Sequence, residues 1–315
     1  MPLHVFVADL GGTKCSAATV DRAGRIIRCR ALPVDLSSAS GPIHQIRQLA
    51  GEFSGGKNPR RAFAAAAISV PGLVRKNGTV WAPNLPGWNR MPLASRLKRS
   101  LGLRVVVESD RNAAILGESW LGAARGKSDA ILLMVGTGIG AGILSGGSVI
   151  RGAHELSGCV GWMTITREDV LDAPRLGELE SLVAGPAIAR IAREQLLKGE
   201  KSRLSGLDPA QITARDVAAA ARQHDVLALD IFNRTGKFLG FAVANLVSLF
   251  DPEIVVLGGG MAAAADLYLR SLQRAMLQRA QPLAAKRIRI VVSKLGDKAN
   301  LLGCACLAWK SLAET

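Results

Sequence analysis

The chain has 315 residues, of which 49% are hydrophobic and 21% are charged, and these values exclude a disordered or collagen-like protein. The length predicts two domains of about 150 residues each. The net charge of +15 favours an anionic partner such as nucleic acid, a membrane surface or a phosphorylated small molecule, although a generally basic proteome would give the same value. No run reaches the roughly 18 apolar residues of a membrane-spanning helix, so no membrane span is predicted.

The predicted elements begin with three short β-prone runs joined by glycine turns, which are typical of antiparallel hairpins. A helix, two buried strands and a second helix follow. Up to residue 121, the predicted strands are 5–8, 16–20, 26–31, 61–69 and 104–107, and the predicted helices are 43–53 and 112–121.

The same pattern starts again at residue 130. A strand at 130–135, a glycine turn at 136–140 and a strand at 141–144 repeat the opening, which predicts duplicated domains around a cleft. Beyond them we predict helices over 180–249, strands at 253–257 and 288–292, and a closing helix at 300–312. The fold class predicted is therefore α/β with two lobes.

The five cysteines are an odd number, and the N-terminus lacks the basic region of a signal peptide. Both features predict reduced thiols in a cytoplasmic protein. We interpret Cys304 and Cys306 as packed side chains, because no second cysteine or histidine pair lies near them to complete a metal site.

Three glycine turns that follow strands are the main candidates for a nucleotide site, because glycine lets phosphates approach backbone N–H groups. They are residues 9–14, 136–140 and 258–260. A dinucleotide fingerprint is excluded at Gly136-x-Gly138-x-x-Ala141, because a strand follows it instead of a helix. A P-loop is excluded at Gly126-Lys127-Ser128, because the earlier glycine is one residue out of place.

Two carboxylates follow predicted strands. Asp9 lies at a strand end beside backbone donors, where Mg²⁺ would find a hard oxygen ligand, directly or through water; a turn-capping role is the alternative. Asp110 precedes a helix and is a candidate general base for phosphoryl transfer; a helix N-cap is the alternative.

Taken together, these motifs resemble the ROK family (repressors, open reading frames and sugar kinases), which has the two-lobed actin-like, hexokinase-type ATPase fold. The resemblance covers nearly the whole chain. It rests on the phosphate loops 9–14 and 136–142, the sugar-side loops 70–74 and 82–88, the run Glu108-Ser109-Asp110-Arg111-Asn112-Ala113-Ala114, and the adenosine-side stretch 251–260.

The resemblance implies an ATP- and Mg²⁺-dependent kinase of a hexose or sugar-like polyol, with Asp110 as the catalytic base and many relatives as homodimers. It implies a small lobe of residues 1–117, with 302–315 packing back on it, and a large lobe of 118–301. The implied nucleotide-binding residues are Asp9, which orients Mg²⁺, and Gly11, Gly12, Thr13, Lys14, Gly136, Thr137, Gly138, Gly258, Gly259 and Gly260. The implied substrate-binding residues are Gly72, Asn84, Ser109, Asp110, Cys159, Trp162 and Glu180.

Departures from the family pattern concentrate on the sugar side. Cys159 and Trp162 stand where the family has a sugar-gripping Glu and His, and Ser109 stands where it has a sugar-contacting Asn. Trp162 is predicted to stack on the apolar face of a pyranose or cyclitol; a buried core tryptophan is the alternative. The family's zinc-ligand positions are Leu171, Ala173 and Glu178 here, so no structural zinc is expected.

Other functions remain open from the sequence. A transcriptional repressor of the same family would carry an added N-terminal helix-turn-helix, for which the sequence shows no room, so no nucleic-acid partner is expected. No membrane partner is expected either, because no apolar run is long enough to span a bilayer. A non-catalytic sugar-binding protein fits the changed sugar-side positions. Inorganic polyphosphate instead of ATP fits the basic charge.

Overall fold

The computed structural model describes residues 3–167 and 169–313. Its strands are β1 His4–Leu10, β2 Lys14–Asp21, β3 Ile26–Pro33, β4 Ala66–Val70, β5 Leu73–Val74, β6 Val80–Trp81, β7 Val105–Ser109, β8 Ala130–Val135, β9 Ile139–Ser145, β10 Ser148–Val149, β11 Ile254–Gly258 and β12 Arg289–Val292. Its α-helices are α1 Gly41–Phe53, α2 Pro59–Ala62, α3 Leu93–Leu101, α4 Asp110–Leu121, α5 Ala173–Leu176, α6 Glu178–Val183, α7 Gly185–Leu197, α8 Ala214–Arg222, α9 Val226–Phe250, α10 Ala265–Arg279, α11 Pro282–Arg287 and α12 Lys298–Ala313.

The chain divides into two compact units. Unit 1 contains Met1–Gly126, Val149–Ser157 and Lys294–Thr315, and unit 2 contains Lys127–Ser148 and Gly158–Ser293. The predicted limits at 117 and 301 fall inside α4 and α12, which pack against each other within unit 1.

The sheet of unit 1 has the order β3-β2-β1-β4-β7. The β1–β2 and β2–β3 pairs are antiparallel, as the glycine turns predicted, and β4 and β7 extend the sheet in parallel. Phe6, Ala8 and Leu10 enter the core on one face of β1, while Val5 and Val7 enter the core under α12 on the other. The first glycine loop therefore leaves a strand that is buried on both faces.

The predicted strand at 61–69 is shorter in the structure and begins at Ala66. A helical turn, α2, occupies its predicted start, because Asn58 accepts the backbone N–H of Arg60 and Pro59 occupies the first helical position. The β-prone composition of the run did not reveal this local cap.

Helices α4 and α12 approach each other closely at two glycines. A Cβ atom added at Gly303 would lie 1.6 Å from the Ala113 carbonyl oxygen, and one added at Gly117 would lie 2.2 Å from the Ala299 carbonyl oxygen. Only glycine permits this distance between the helix backbones. Cys304, also on α12, is fully buried, and Cys306 is 7% exposed, which confirms their interpretation as packed side chains.

The sheet of unit 2 has the order β10-β9-β8-β11-β12. Its central strand β8 pairs antiparallel with β9 and parallel with β11, which pairs parallel with β12. This arrangement matches that of β1, β2, β4 and β7 in unit 1, and it corresponds to the repeat predicted from the sequence. None of the helices in residues 3–167 and 169–313 has the length and apolar composition to cross a membrane.

Candidate functional site

Asp9 lies near the end of β1, in unit 1. Its Oδ1 accepts hydrogen bonds from Ser69 Oγ at 2.7 Å and from Asn300 Nδ2 at 2.9 Å. Neither donor belongs to the turn that follows Asp9, which disfavours a turn-capping role. Burial raises the pKa of the Asp9 carboxyl above its ordinary value, while these two hydrogen bonds and the charge of Lys14 oppose that rise.

The first glycine loop is a tight turn between β1 and β2. Gly11 N–H donates to the Lys14 carbonyl oxygen at 2.8 Å, and Gly12, Thr13 and Lys14 are exposed. A Cβ atom added at Gly12 would have no neighbour within 4 Å, so this side of the loop is open to a ligand. The Lys14 ammonium contacts Asp297 Oδ2 at 2.9 Å in a solvent-exposed pair, which contributes little to stability.

Asp110 is the first residue of α4, directly after β7. The N-cap position belongs to Ser109, whose side chain makes no capping hydrogen bond, so Asp110 is not the N-cap. Its Oδ1 accepts the backbone N–H of Arg111 at 2.7 Å. Burial, followed by the negative charge of Asp9, raises the pKa of Asp110 to about 6. A carboxylate with that pKa is ionised at neutral pH and basic enough to accept a hydroxyl proton.

The predicted sugar-side loops of unit 1 are anchored by close backbone packing and by a buried tryptophan. Gly72 has φ +101°, and a Cβ atom there would lie 2.3 Å from the Trp81 carbonyl oxygen. Asn84 is exposed in a turn anchored by Trp88, which is 1% exposed and donates from Nε1 to the Ala39 carbonyl oxygen. The Asn84 side chain is thus exposed on a turn that is anchored to the core through Trp88.

The second glycine loop, in unit 2, joins β8 to β9. Gly136 N–H donates to the Gly138 carbonyl oxygen at 2.9 Å, and Thr137 is exposed. The third glycine turn closes on the end of β8, since Gly259 has φ +78° and a Cβ there would lie 2.4 Å from the Val135 carbonyl oxygen. Gly258 is the last residue of β11, and Gly260 begins a short 3₁₀ helix.

Glu180, predicted to contact sugar, lies against the second glycine loop. Its Oε2 accepts the backbone N–H of Ile139 at 2.9 Å, and a Cβ added at Gly138 would lie 2.9 Å from the same oxygen. Burial raises the pKa of the Glu180 carboxyl above its ordinary value. Trp162 is 59% exposed, which excludes a buried core tryptophan, and Cys159 is partly buried.

The positions that align with the family's zinc ligands carry other chemistry. Leu171 is exposed, and the Glu178 carboxylate accepts backbone hydrogen bonds from Ile165 and Thr166. In the described parts of the chain, no group of three or more His, Cys, Asp or Glu side chains is placed to hold a metal ion.

The sequence model of the ROK family matches residues 6–311. The chain belongs to the ROK family. A glucokinase of Thermotoga maritima is 32% identical over 97% of this chain and 97% of its own length. A xylose repressor of Caldicellulosiruptor bescii is 34% identical over 78% of this chain, which spans 63% of the repressor. The structure of a ROK family glucokinase from Streptomyces griseus, in complex with glucose and AMPPNP, gives a TM-score of 0.81 at 30% identity, covering 98% of this chain and 99% of that one.

This comparison confirms the predicted fold class, the actin-like, hexokinase-type fold of ROK sugar kinases. Several residues around the Asp9 and Asp110 carboxylates carry no recognisable sequence motif. Ser69 and Asn300 donate to Asp9, and the buried Glu108 forms an ion pair with Arg151. These contacts join parts of the chain that are far apart in sequence. Their one sequence signal is the parallel pairing of β4 with β1 and β7, which places Ser69 opposite Asp9 and Glu108 once the strands are aligned.

The raised pKa of Asp110 predicts a pH-dependent stability in this ROK protein. The folded state binds the Asp110 proton with a pKa of about 6, against an ordinary value of 3.8 in the unfolded chain, so stability falls as pH rises through this interval. We expect Asp110→Asn to be more stable than the wild type by about 1–3 kcal/mol at pH 8, since the amide removes the buried charge and its Oδ1 still accepts the Arg111 N–H.

Urea unfolding at pH 8 and pH 4 measures this difference. The stability gain of Asp110→Asn should shrink at pH 4, where Asp110 is almost fully protonated in the folded state and only partly ionised in the unfolded chain. Asp266→Asn is the matched control, because Asp266 is an exposed carboxylate paired with Arg222 in unit 2. A gain of equal size at both pH values would contradict the assigned pKa shift.

Proposed function

We propose that this ROK protein transfers the γ-phosphoryl group of ATP to a hydroxyl group of a hexose or sugar-like polyol. The observation that carries the proposal is the pair of carboxylates in unit 1: Asp9 beside an exposed glycine loop, and Asp110 with its pKa raised by burial and by Asp9. The full-length similarity to glucokinases supports the same activity.

In the proposed reaction the acceptor oxygen attacks the γ-phosphorus in line. A new oxygen–phosphorus bond forms, the bond from the γ-phosphorus to ADP breaks, and the acceptor proton passes to an Asp110 carboxylate oxygen. The N–H groups of Gly12 and Gly138, with the hydroxyls of Thr13 and Thr137, are the proposed phosphate donors. The Gly11 N–H, which the family resemblance also implied, is already bonded to the Lys14 carbonyl oxygen and is not proposed as a donor. The turn at 258–260 is proposed to line the adenosine pocket.

Asp9 fits the role of the residue that holds Mg²⁺, directly or through water. Both hydrogen bonds described for its carboxylate end on Oδ1, so Oδ2 is the oxygen proposed for the ion. Mg²⁺ is usually bound by one or two carboxylates together with waters and substrate phosphates, which needs no larger protein ligand cluster. When bound, the ion would neutralise charge on the β- and γ-phosphates.

Trp162 is the proposed acceptor-side platform, because it is exposed and stands where the family has a sugar-contacting histidine. We expect Trp162→Ala to raise the KM for the acceptor about 3–10-fold, as the loss of an aromatic contact would, and to leave the KM for ATP unchanged. Steady-state kinetics on the preferred sugar measures this effect. Leu249→Ala, which removes another exposed apolar side chain, is the control. An unchanged acceptor KM in Trp162→Ala would refute the role.

A sugar-responsive repressor is the second candidate function, and the similarity to a xylose repressor favours it. Repressor activity requires specific DNA binding at physiological salt, whereas non-specific binding through the +15 charge is lost as salt rises. A gel shift across a salt series distinguishes specific from non-specific DNA binding.

The decisive experiment for the kinase measures coupled ADP release across hexoses, N-acetylated and amino hexoses, and cyclitols, with ATP and then polyphosphate as donor. Sugar-dependent release that is lost in Asp110→Asn would support the proposal. Sugar binding without any transfer would instead identify a non-catalytic binding protein.

A further inference from the structure

The closing helix α12 reaches the first glycine loop through a side chain that no sequence motif indicated. Asn300, in the first turn of α12, donates from Nδ2 to Asp9 Oδ1 at 2.9 Å. Ser69 lies opposite Asp9 in the parallel β1–β4 register, and its Oγ donates to the same oxygen at 2.7 Å. One carboxylate oxygen therefore accepts hydrogen bonds from two different elements.

These two hydrogen bonds fix the orientation of the Asp9 carboxylate, which strand pairing leaves free. The backbone of Asp9 is already held on both sides, by β2 and by β4. The terminal torsion of an aspartate side chain is broad, so strand pairing alone does not orient the carboxylate plane. Two donors on Oδ1 orient that plane, and Ser69, which is fully buried, does so without competition from water.

Two further contacts join residues 297–304 to residues 8–14. Asp297, just before the helix, pairs with Lys14, and Cys304 Sγ donates to the Ala8 carbonyl oxygen at 3.7 Å. Residues 297, 300 and 304 recur at helical spacing, so one face of α12 follows the end of β1 and the loop after it. Asn300 is the member of this set that contacts the predicted metal-binding carboxylate.

We infer that Ser69 and Asn300 are positioning residues, which orient Asp9 so that its second oxygen, Oδ2, serves the nucleotide-bound metal ion. This inference rests on the proposed kinase function. Residues that hydrogen-bond a metal ligand orient it, and their replacement typically weakens metal binding or activity by about 10-fold or more. The effect should fall on metal-dependent steps and spare sugar binding.

The test compares Asn300→Ala and Ser69→Ala with two controls. These are Lys298→Ala, in the same turn of α12, and Ser311→Ala, which removes a buried hydroxyl that donates to the Ala308 carbonyl oxygen of the same helix. Mn²⁺ binding to the protein–ADP complex is measured by titration calorimetry and electron paramagnetic resonance. We expect about 10-fold weaker Mn²⁺ binding in the two test variants and values close to wild type in the controls.

Kinetics supply the second measurement. In the test variants kcat should fall and the Mg²⁺ concentration for half-maximal activity should rise, while the KM for the sugar stays within about two-fold of the wild type. Unchanged Mn²⁺ affinity in both test variants, or equal loss in the controls, would overturn the inference. If the wild type phosphorylates no sugar, the proposed function fails, and the Mn²⁺–ADP titration still decides the positioning role.

Discussion

Asp110→Asn is expected to lower kcat for sugar phosphorylation by about 10²–10⁴-fold, the usual contribution of a positioned general base. The amide keeps the size of the side chain and the hydrogen bond from Arg111 N–H, but it cannot accept a proton from the acceptor hydroxyl. Binding of ADP should remain close to the wild-type value, because the predicted phosphate donors are backbone and threonine groups of the glycine loops. Steady-state kinetics and calorimetric titration with ADP measure the two quantities.

Asp266→Asn again serves as the control and should retain wild-type kcat. Transfer in Asp110→Asn within about ten-fold of the wild type would refute the base assignment. The same replacement is expected to stabilise the fold at pH 8, so loss of activity together with gained stability would identify Asp110 as a group kept for chemistry at the expense of stability.

Gly303→Ala is expected to destabilise unit 1 by more than about 3 kcal/mol, at the upper end of the costs of overpacking. The added Cβ would lie 1.6 Å from the Ala113 carbonyl oxygen, which is backbone and cannot move aside by changing a rotamer. Helices α4 and α12 would have to separate, and both carry residues of the site, Asp110 and Asn300. Thermal unfolding followed by circular dichroism should show a midpoint lowered by roughly 10 °C.

Gly51→Ala is the matched control for this replacement. Gly51 also lies within an α-helix, α1, and a Cβ there would meet nothing within 4 Å. Alanine at that position should stabilise the protein by about 0.4–1 kcal/mol, because it restricts the unfolded chain and favours the helix. Destabilisation of similar size at Gly51 would show that contact between α4 and α12 is not the cause of the loss at Gly303.

The sequence by itself determined the features that depend on local chemistry. Glycines in the turns after β1, β8 and β11, the carboxylates Asp9 and Asp110, and the short β-prone run of β1 follow from residue type and spacing along a short stretch of chain. The α/β class and the duplicated arrangement followed from the same patterns, because a strand–turn–strand unit is written in consecutive residues.

Local patterns left some questions open even near the site. Residues 61–62 are helical despite an apolar, β-prone run, because a cap at Asn58 and a proline set the backbone there. Trp162 had two possible roles, and its 59% exposure could be known only once the surrounding chain was folded. Glu180 was predicted to contact sugar, and its position against Ile139 links it to the second glycine loop as well.

Only the tertiary structure decided what surrounds the carboxylates. The donors to Asp9 are 60 and 291 residues away along the chain, and no periodicity relates positions so far apart. The raised pKa of Asp110 likewise comes from burial and from the nearby charge of Asp9, which are properties of packed neighbours and not of sequence order. Residue identity thus set which groups could act, and folding set their hydrogen bonds, their burial and their proton affinity.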